Sequence, residues 1–332
     1  MIRFALLGCG RIGRVHADSI DVHPRAELAW VYDPIESAAT EIAKRYSTTI
    51  APAVDVAIDD ASVDAVVIAS ATPTHVDLLT RAVRAGKAVL CEKPIDLDLA
   101  RVDRCWKEIA ALNPTVMIGF NRRFDPSFRE VRDRIAGGEI GRLEQLTIVS
   151  RDPDPAPREY LAVSGGLLRD MTIHDFDLTR FFLGEVAEVY AMGSNLVADY
   201  IAELGDIDGA VVVMRGADGA LCQITNSRHS VFGYDQRLEA FGSAGMLSVG
   251  NQHPTSVRLS NGTQTEAAPE YLNFFLDRYT PAYRAELDHL ITAMEQGGQP
   301  NPGFADGREA LALADAALES LQTSQTVRLG PL

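Results

Sequence analysis

The segment Gly8-Cys9-Gly10-Arg11-Ile12-Gly13 leaves the apolar run of residues 4–7 and opens a helical pattern, and few segments restrict a fold so tightly. Glycines at its first, third and sixth positions permit a sharp turn from strand to helix. They also let the backbone approach a pyrophosphate, whose charge sits at the helix N-terminus. The motif alone is weak, so its surroundings decide. Here a strand pattern precedes it, a helix pattern follows, and Asp33 ends the next strand pattern 20 residues beyond Gly13. An acidic side chain at that point accepts hydrogen bonds from the adenosine ribose hydroxyls and repels a 2′-phosphate. Pro34 offers neither an amide nor a cation to such a phosphate. The sequence therefore points to NAD rather than NADP, with Gly8, Gly10, Arg11, Ile12, Gly13 and Asp33 as cofactor residues.

The first 120 residues continue the same logic. Apolar runs at residues 4–7, 28–32, 65–69, 88–91 and 116–118 alternate with helical patterns such as residues 76–83, which stop at Gly86. Alternation of this kind specifies a parallel sheet, and runs as uniformly apolar as Ala65-Val66-Val67-Ile68-Ala69 suit strands covered on both faces. After Arg122 the pattern changes. A helix is expected over residues 127–135, ending at Gly137-Gly138, and residues 143–149 alternate as a half-buried strand does. Further strands are expected at 210–214, 221–225, 237–241 and 256–259, with hairpin spacers at Ala217-Asp218-Gly219 and Ser243-Ala244-Gly245. Helices are expected at 171–183, closed by Gly184, at 281–296 and at 306–322. The expectation is an α/β Rossmann domain over residues 1–121, followed over residues 122–332 by an α+β domain with a mainly antiparallel sheet.

Composition narrows the partners. The 332 residues carry a formal net charge of −15, which argues against general affinity for nucleic acid or an anionic membrane surface. No apolar stretch reaches the roughly 18 residues needed to span a bilayer, and Met1-Ile2-Arg3-Phe4 runs straight into a strand pattern without a cleavable signal, so a cytoplasmic protein is expected. Cys9, Cys91, Cys105 and Cys222 are far apart with no C-x-x-C spacing, which indicates buried thiols and neither a zinc site nor a disulfide framework.

Two segments carry candidate chemistry. Glu92-Lys93-Pro94 follows the strand at residues 88–91; Pro94 lacks an amide hydrogen and restrains the residue before it, which directs Lys93 at the end of a strand, where doubly wound sheets bind ligands. A solvated surface loop is the competing reading. In Asp170-Met171-Thr172-Ile173-His174-Asp175-Phe176-Asp177, a continuous helix puts Asp170 and His174 on one face, with Asp177 three residues beyond His174 and Asp175 pointing elsewhere. The carboxylate can orient the imidazole and steady its protonated form, as suits a histidine acting as general base. A solvated acidic helix start is the bland alternative. Metal binding is the other, and no matching second histidine supports it, so no metal is expected.

The glycine motif, Cys91-Glu92-Lys93-Pro94, Gly119-Phe120-Asn121-Arg122-Arg123-Phe124-Asp125, Gly165-Gly166-Leu167-Leu168-Arg169-Asp170 continuing to Asp177, and Arg278-Tyr279-Thr280-Pro281-Ala282-Tyr283-Arg284-Ala285-Glu286 together resemble the Gfo/Idh/MocA oxidoreductase family, and within it the inositol 2-dehydrogenases. The resemblance spans essentially the whole chain. It implies a C-terminal sheet that is large and open, and often a tetramer packed through such sheets. It also implies NAD-dependent oxidation of a secondary hydroxyl of a cyclic polyol, myo-inositol to 2-keto-myo-inositol foremost. Oxidation of scyllo-inositol or a related sugar, or an NAD-requiring glycosidase, are the enzymatic alternatives; a non-enzymatic NAD-binding regulator is the third.

Carried over by position, Lys93, Asp170 and His174 form the catalytic group, with His174 taking the hydroxyl proton. Ser70, Thr72, His75, Glu92, Lys93 and Asn121 join the cofactor residues. Arg123, Asp152, Asp177, Tyr234 and Tyr283, with Asn121, Lys93, Asp170 and His174, are the polyol candidates. Arg151-Asp152 departs from the histidine and asparagine of some relatives, which bears on the hydroxyl pattern.

Overall fold

The computed structural model describes residues 1–330; residues 331–332, the end of the expected second domain, lie outside the described residues. The chain forms two compact units, Met1–Phe124 with Thr280–Leu311, and Asp125–Tyr279 with Ala312–Leu332. The first unit therefore includes a return of the chain over Thr280–Leu311.

In chain order the first unit begins β1 (Ile2–Leu7), α1 (Arg11–Asp21), β2 (Ala26–Tyr32), α2 (Glu36–Tyr46), β3 (Thr49–Ile50), α3 (Val54–Asp59), β4 (Ala65–Ile68), α4 (His75–Arg84), β5 (Ala88–Cys91), α5 (Leu99–Ile109) and β6 (Val116–Ile118). The strands form one sheet of order β3-β2-β1-β4-β5-β6, parallel at every pairing. This is the dinucleotide-binding order, with the switch of direction beside β1. All four residues of β4 and all four of β5 are buried, as strands covered on both faces must be. The two-residue edge strand β3 has no apolar run to announce it.

The second unit contributes α6 (Pro126–Ala136), β7 (Leu143–Arg151), α7 (Arg158–Leu161), α8 (Gly166–Asp170), α9 (Thr172–Leu183), β8 (Val186–Ser194), α10 (Asp199–Glu203), β9 (Gly209–Gly216), β10 (Leu221–Ser227), β11 (Asp235–Gly242) and β12 (Gly245–Val249). Then follow α11 (Phe275–Gln296), α12 (Phe304–Thr323) and β13 (Val327–Arg328). Seven strands form a sheet of order β12-β11-β7-β10-β9-β8-β13. It is mixed rather than purely antiparallel, because β10 and β7 run parallel. Register separates the two faces. Val189, Met214, Cys222 and Leu146 fall in one cross-strand row and Ala191, Val212, Ile224 and Ile148 in the next, and these rows join Phe128, Phe176, Phe182 and Leu313 in one core. The alternate residues, Met192, Val211, Val213 and Leu221, are exposed on the other face.

Three expected elements differ. Residues 256–259 form no strand: Leu259 makes one isolated bridge to Ala267, and with Val257 and Leu259 exposed no neighbouring strand buries the alternation. The helix expected from Pro281 begins at Phe275, with Pro281 inside it. Its first turns are held by tertiary contacts, Arg278 Nη2 lying 3.5 Å from Asp125 Oδ2 and Tyr279 Oη donating to Gln236 Oε1 at 3.2 Å. Finally, the helix expected over residues 171–183 starts at Thr172, after a joint at Met171 that separates it from α8.

Candidate active site

The carboxyl ends of the parallel strands gather the expected cofactor residues. The glycine turn follows β1, Asp33 follows β2, Ser70 and Thr72 follow β4, Glu92 and Lys93 follow β5, and Asn121 follows β6. The glycines are not equivalent. Gly8 has φ +101°, and a Cβ there would meet the Ala69 and Ser70 backbone at 2.5 Å; one on Gly13 would lie 2.0 Å from the Gly8 carbonyl oxygen. Gly10 faces nothing within 4 Å, so packing does not require a glycine there, whereas close approach of a ligand to the backbone does. Gly10 caps α1 without a side-chain hydrogen bond, and the first turn holds no acidic residue, which suits a pyrophosphate at this end. Asp33 is fixed by the Cys9 amide, donating to Oδ2 at 2.7 Å, and the Ile35 amide, donating to Oδ1 at 2.8 Å. These residues fit NAD.

Behind the turn, His16 on α1 donates from Nε2 to Glu92 Oε1 at 2.7 Å in a buried pair, and a Cβ on Gly119 would strike that carboxylate at 2.9 Å. Glu92 thus ties the end of β5 to α1 and sets where Lys93 leaves the strand. The Lys93-Pro94 bond is cis. His75 is buried with Nδ1 2.8 Å from the Pro94 carbonyl oxygen and Nε2 2.9 Å from that of Ser70, joining two strand-end loops. His16 was missed in the sequence; the only available signal was a histidine on the buried face of α1, beside Gly13.

The second constellation is built on α8 and α9. Because of the joint at Met171, Asp170 ends one helix and His174 is the third residue of the next, rather than both lying on a continuous face. Tyr160 Oη donates to Asp170 Oδ1 at 2.7 Å. The start of α9 is not solvated: Thr172, Asp175 and Asp177 are fully buried and His174 is half-buried. Asp175 is the hub, accepting from Ser150 Oγ and from Asn226 Nδ2, each at 2.7 Å, while Thr172 Oγ1 donates to Asn226 Oδ1 at 2.7 Å. Buried carboxylates are tolerated only with such partners, and these lock α9 to β7 and β10 at the turn that carries His174.

The remaining polyol candidates divide between the units. In the first, Arg123 is buried, donating to Asn301 Oδ1 at 2.7 Å and to Asp306 Oδ1 at 2.9 Å, and the buried Tyr283 meets the His16 ring edge-on with centroids 5.7 Å apart. In the second, Asp152 follows β7, its amide bonded to the Ser227 carbonyl at 3.0 Å, and the buried Tyr234 is edge-on to Tyr279 at 6.0 Å. Ser150, Asn226 and Gln236 were absent from the candidates, since uncharged residues one position beyond the expected strand ends carry no signal of a shared partner.

All four cysteines are free and buried. Burial and the neighbouring Asp33 push the Cys9 thiol up to about 12, and burial raises Cys222 to about 12 as well, so neither supplies a thiolate near neutral pH. Among the described residues no cluster of three or more histidine, cysteine or acidic side chains is disposed to hold a metal ion.

Comparison with known proteins identifies the family. Residues 2–120 match the oxidoreductase family model described as an NAD-binding Rossmann fold, and residues 128–248 match the GFO/IDH/MocA C-terminal domain. The chain is 44% identical over 329 residues to the inositol 2-dehydrogenase of Rhizobium meliloti, covering 99% of each. A crystal structure of a myo-inositol dehydrogenase from Corynebacterium glutamicum superposes with TM-score 0.97 at 50% identity over the full length of both chains. The scyllo-inositol dehydrogenase of Lactobacillus casei, solved with bound NAD(H) and scyllo-inositol, superposes with TM-score 0.89 at 26% identity over 99% of each chain. The glycine turn with Asp33 at the end of the next strand, the family models over both units and the full-length relatives converge: the chain belongs to the Gfo/Idh/MocA family of NAD-dependent oxidoreductases.

Proposed function

We propose that the chain oxidises one secondary hydroxyl of a cyclic polyol, with myo-inositol as substrate and 2-keto-myo-inositol as product. The observation that carries this reading is the buried Asp175 hub, which presents His174 from a fixed helix turn in a chain whose full-length relatives are inositol dehydrogenases. When bound, NAD supplies the acceptor for the hydride that leaves the carbinol carbon. His174 takes the hydroxyl proton as the carbonyl forms, and Asp170 steadies the resulting imidazolium. Lys93 donates to the substrate oxygen and holds the negative charge that builds there. Asp152, Asp177, Tyr234 and Tyr283 are proposed to contribute to hydroxyl recognition. A panel of myo-inositol, scyllo-inositol and aldoses, assayed by NADH absorbance, tests the reading. Stoichiometric NADH with myo-inositol supports it; preference for scyllo-inositol shifts the substrate, and hydrolysis of a glycoside without net NADH replaces the reaction.

Cofactor choice rests on Asp33. Asp33→Ser removes the carboxylate that accepts ribose hydroxyls and repels a 2′-phosphate, and the ratio of kcat/KM for NAD over NADP is expected to fall by about tenfold or more. An unchanged ratio would assign the preference elsewhere.

A homo-oligomer, tetrameric by family likeness, is proposed to cover the open face of the seven-stranded sheet. Met192, Val211, Val213 and Leu221 stand exposed there, at 44% for the two valines. Val211→Glu with Val213→Glu is expected to lower the mass measured by light scattering to a smaller species with its circular dichroism retained; an unchanged mass would place the interface elsewhere. The four free, buried thiols and the absence, among the described residues, of any helix able to cross a membrane support a cytoplasmic setting.

A further inference from the structure

Arg228, just beyond β10, is 1% exposed and among the largest fully buried side chains of the protein. A guanidinium withdrawn from water is costly unless carboxylates face it, and an apolar side chain would fill the same space without that cost. Two carboxylates do face it. Nη1 lies 3.5 Å from Asp170 Oδ2, and Nη2 lies 3.7 Å from Asp206 Oδ2.

Asp206 in turn accepts the Leu167 amide on both oxygens, at 3.0 and 3.1 Å, and so holds the first turn of α8. The residue before Leu167, Gly166, has φ +84°, which favours glycine, and a Cβ there would lie 2.8 Å from Asp206 Oδ1. The guanidinium therefore runs alongside α8, from the carboxylate that holds its start to the carboxylate that ends it. The backbone of Arg228 is anchored too, its amide donating to the Asp208 carbonyl at 2.8 Å, while the Asp208 side chain accepts the Leu196, Val197 and Ala198 amides. Nε and Nη2 make no hydrogen bond among the described residues, so the guanidinium is held by its charge, through the ion pairs at 3.5 and 3.7 Å.

We propose that Arg228 is a positioning residue: through the Asp206–Arg228–Asp170 chain it fixes the place and charge of the Asp170 carboxylate, and through Asp170 it governs the His174 base. The inference rests on the proposed role of Asp170 in polyol oxidation. With Tyr160 donating to Oδ1 and Arg228 facing Oδ2, the two oxygens are addressed from different elements, which limits rotation of the carboxylate. A rigid carboxylate is what an imidazole needs if its ring is to stay aligned while it gains a proton.

The test is a double-mutant cycle with Arg228→Gln and Asp170→Asn, read both in turnover and in urea unfolding. Arg228→Gln is expected to lower kcat at least tenfold while the Kd for NADH stays within twofold, and to lower kcat less than twofold further in the Asp170→Asn background. Retained kcat, or an equal loss in both backgrounds, would overturn the proposal. If the unsubstituted protein oxidises no polyol, the functional reading fails separately, and the link between the residues is then read from unfolding midpoints: non-additivity supports it and additivity overturns it. Should Arg228→Gln fail to fold, Arg228→Lys keeps the charge but loses the fork that spans both carboxylates, and the same cycle with the same criteria applies.

Discussion

Replacing His174 with alanine is expected to lower kcat for polyol oxidation by about a hundredfold or more, the contribution of a well-placed acid-base group, with NADH affinity unchanged. Thr172, Asp175 and Asn226 hold the start of α9 through hydrogen bonds that the substitution leaves intact, so the variant should fold. His174 is not among the cofactor candidates, which follow the strands β1, β2, β4, β5 and β6, hence the expected NADH affinity. Lys93→Ala is expected to cost a comparable factor, about a hundredfold, because the ammonium opposes charge that exists only as the hydroxyl loses its proton. Lys93→Arg should not restore the rate, since a planar fork presents its donors in different directions from a compact ammonium. Steady-state kinetics with NADH titration by fluorescence measures all three variants. Normal turnover in either alanine variant would remove that residue from the chemistry.

The second large effect separates two glycines that the motif treats alike. Gly13→Ala places a methyl group 2.0 Å from the Gly8 carbonyl oxygen and 2.9 Å from its carbon, both backbone atoms that cannot rotate away. The turn must open, at a cost of about 3 kcal/mol, and the melting temperature is expected to fall by roughly 5–10 °C together with loss of NAD binding. Gly10→Ala adds a methyl group with nothing within 4 Å, so the melting temperature should hold. NAD affinity should nonetheless drop by about tenfold, because the added carbon occupies space that the pyrophosphate needs. Calorimetry with and without NAD distinguishes the two: the first variant loses stability without ligand, the second loses only the stabilisation that ligand brings. Equal melting losses in both would mean that packing alone accounts for the motif.

Much of the first unit was legible because its signals are local. Residues 65–69 and 88–91 are apolar without interruption, and the strands built from them are buried throughout. The glycine turn needs only its own neighbours, and Asp33 is read by counting from Gly13. The second unit was legible where residues 143–149 alternate and where the runs 210–214 and 221–225 flank the spacer Ala217-Asp218-Gly219, but not where a pattern lacked a partner: residues 256–259 remain exposed, since a strand exists only when another chain segment pairs with it. The helix from residue 275 shows the opposite error. Pro281 marks a start by local rules, yet buried Arg278 and Tyr279 extend the helix upstream through contacts distant in sequence.

The site divides the same way. Lys93, Asp170, His174 and the glycines stand out because charged or flexible residues at element ends are rare enough to notice. Helix α9 is buried nearly all round, with Asp175 and Asp177 at no exposure, so its acidic residues resemble a solvated face in the sequence and are in fact interior. By itself, then, the amino-acid order determined a parallel dinucleotide-binding sheet and nominated Asp33 for cofactor choice and Lys93, Asp170 and His174 for acid-base chemistry. Only the tertiary structure decided that α8 and α9 part at Met171, that Ser150 and Asn226 close on Asp175, and that a buried Arg228 spans Asp206 and Asp170. The reason is physical: backbone conformation and periodicity are set by neighbours along the chain, whereas the partner of a buried charge is chosen by desolvation, which takes whatever polar group the fold brings within reach.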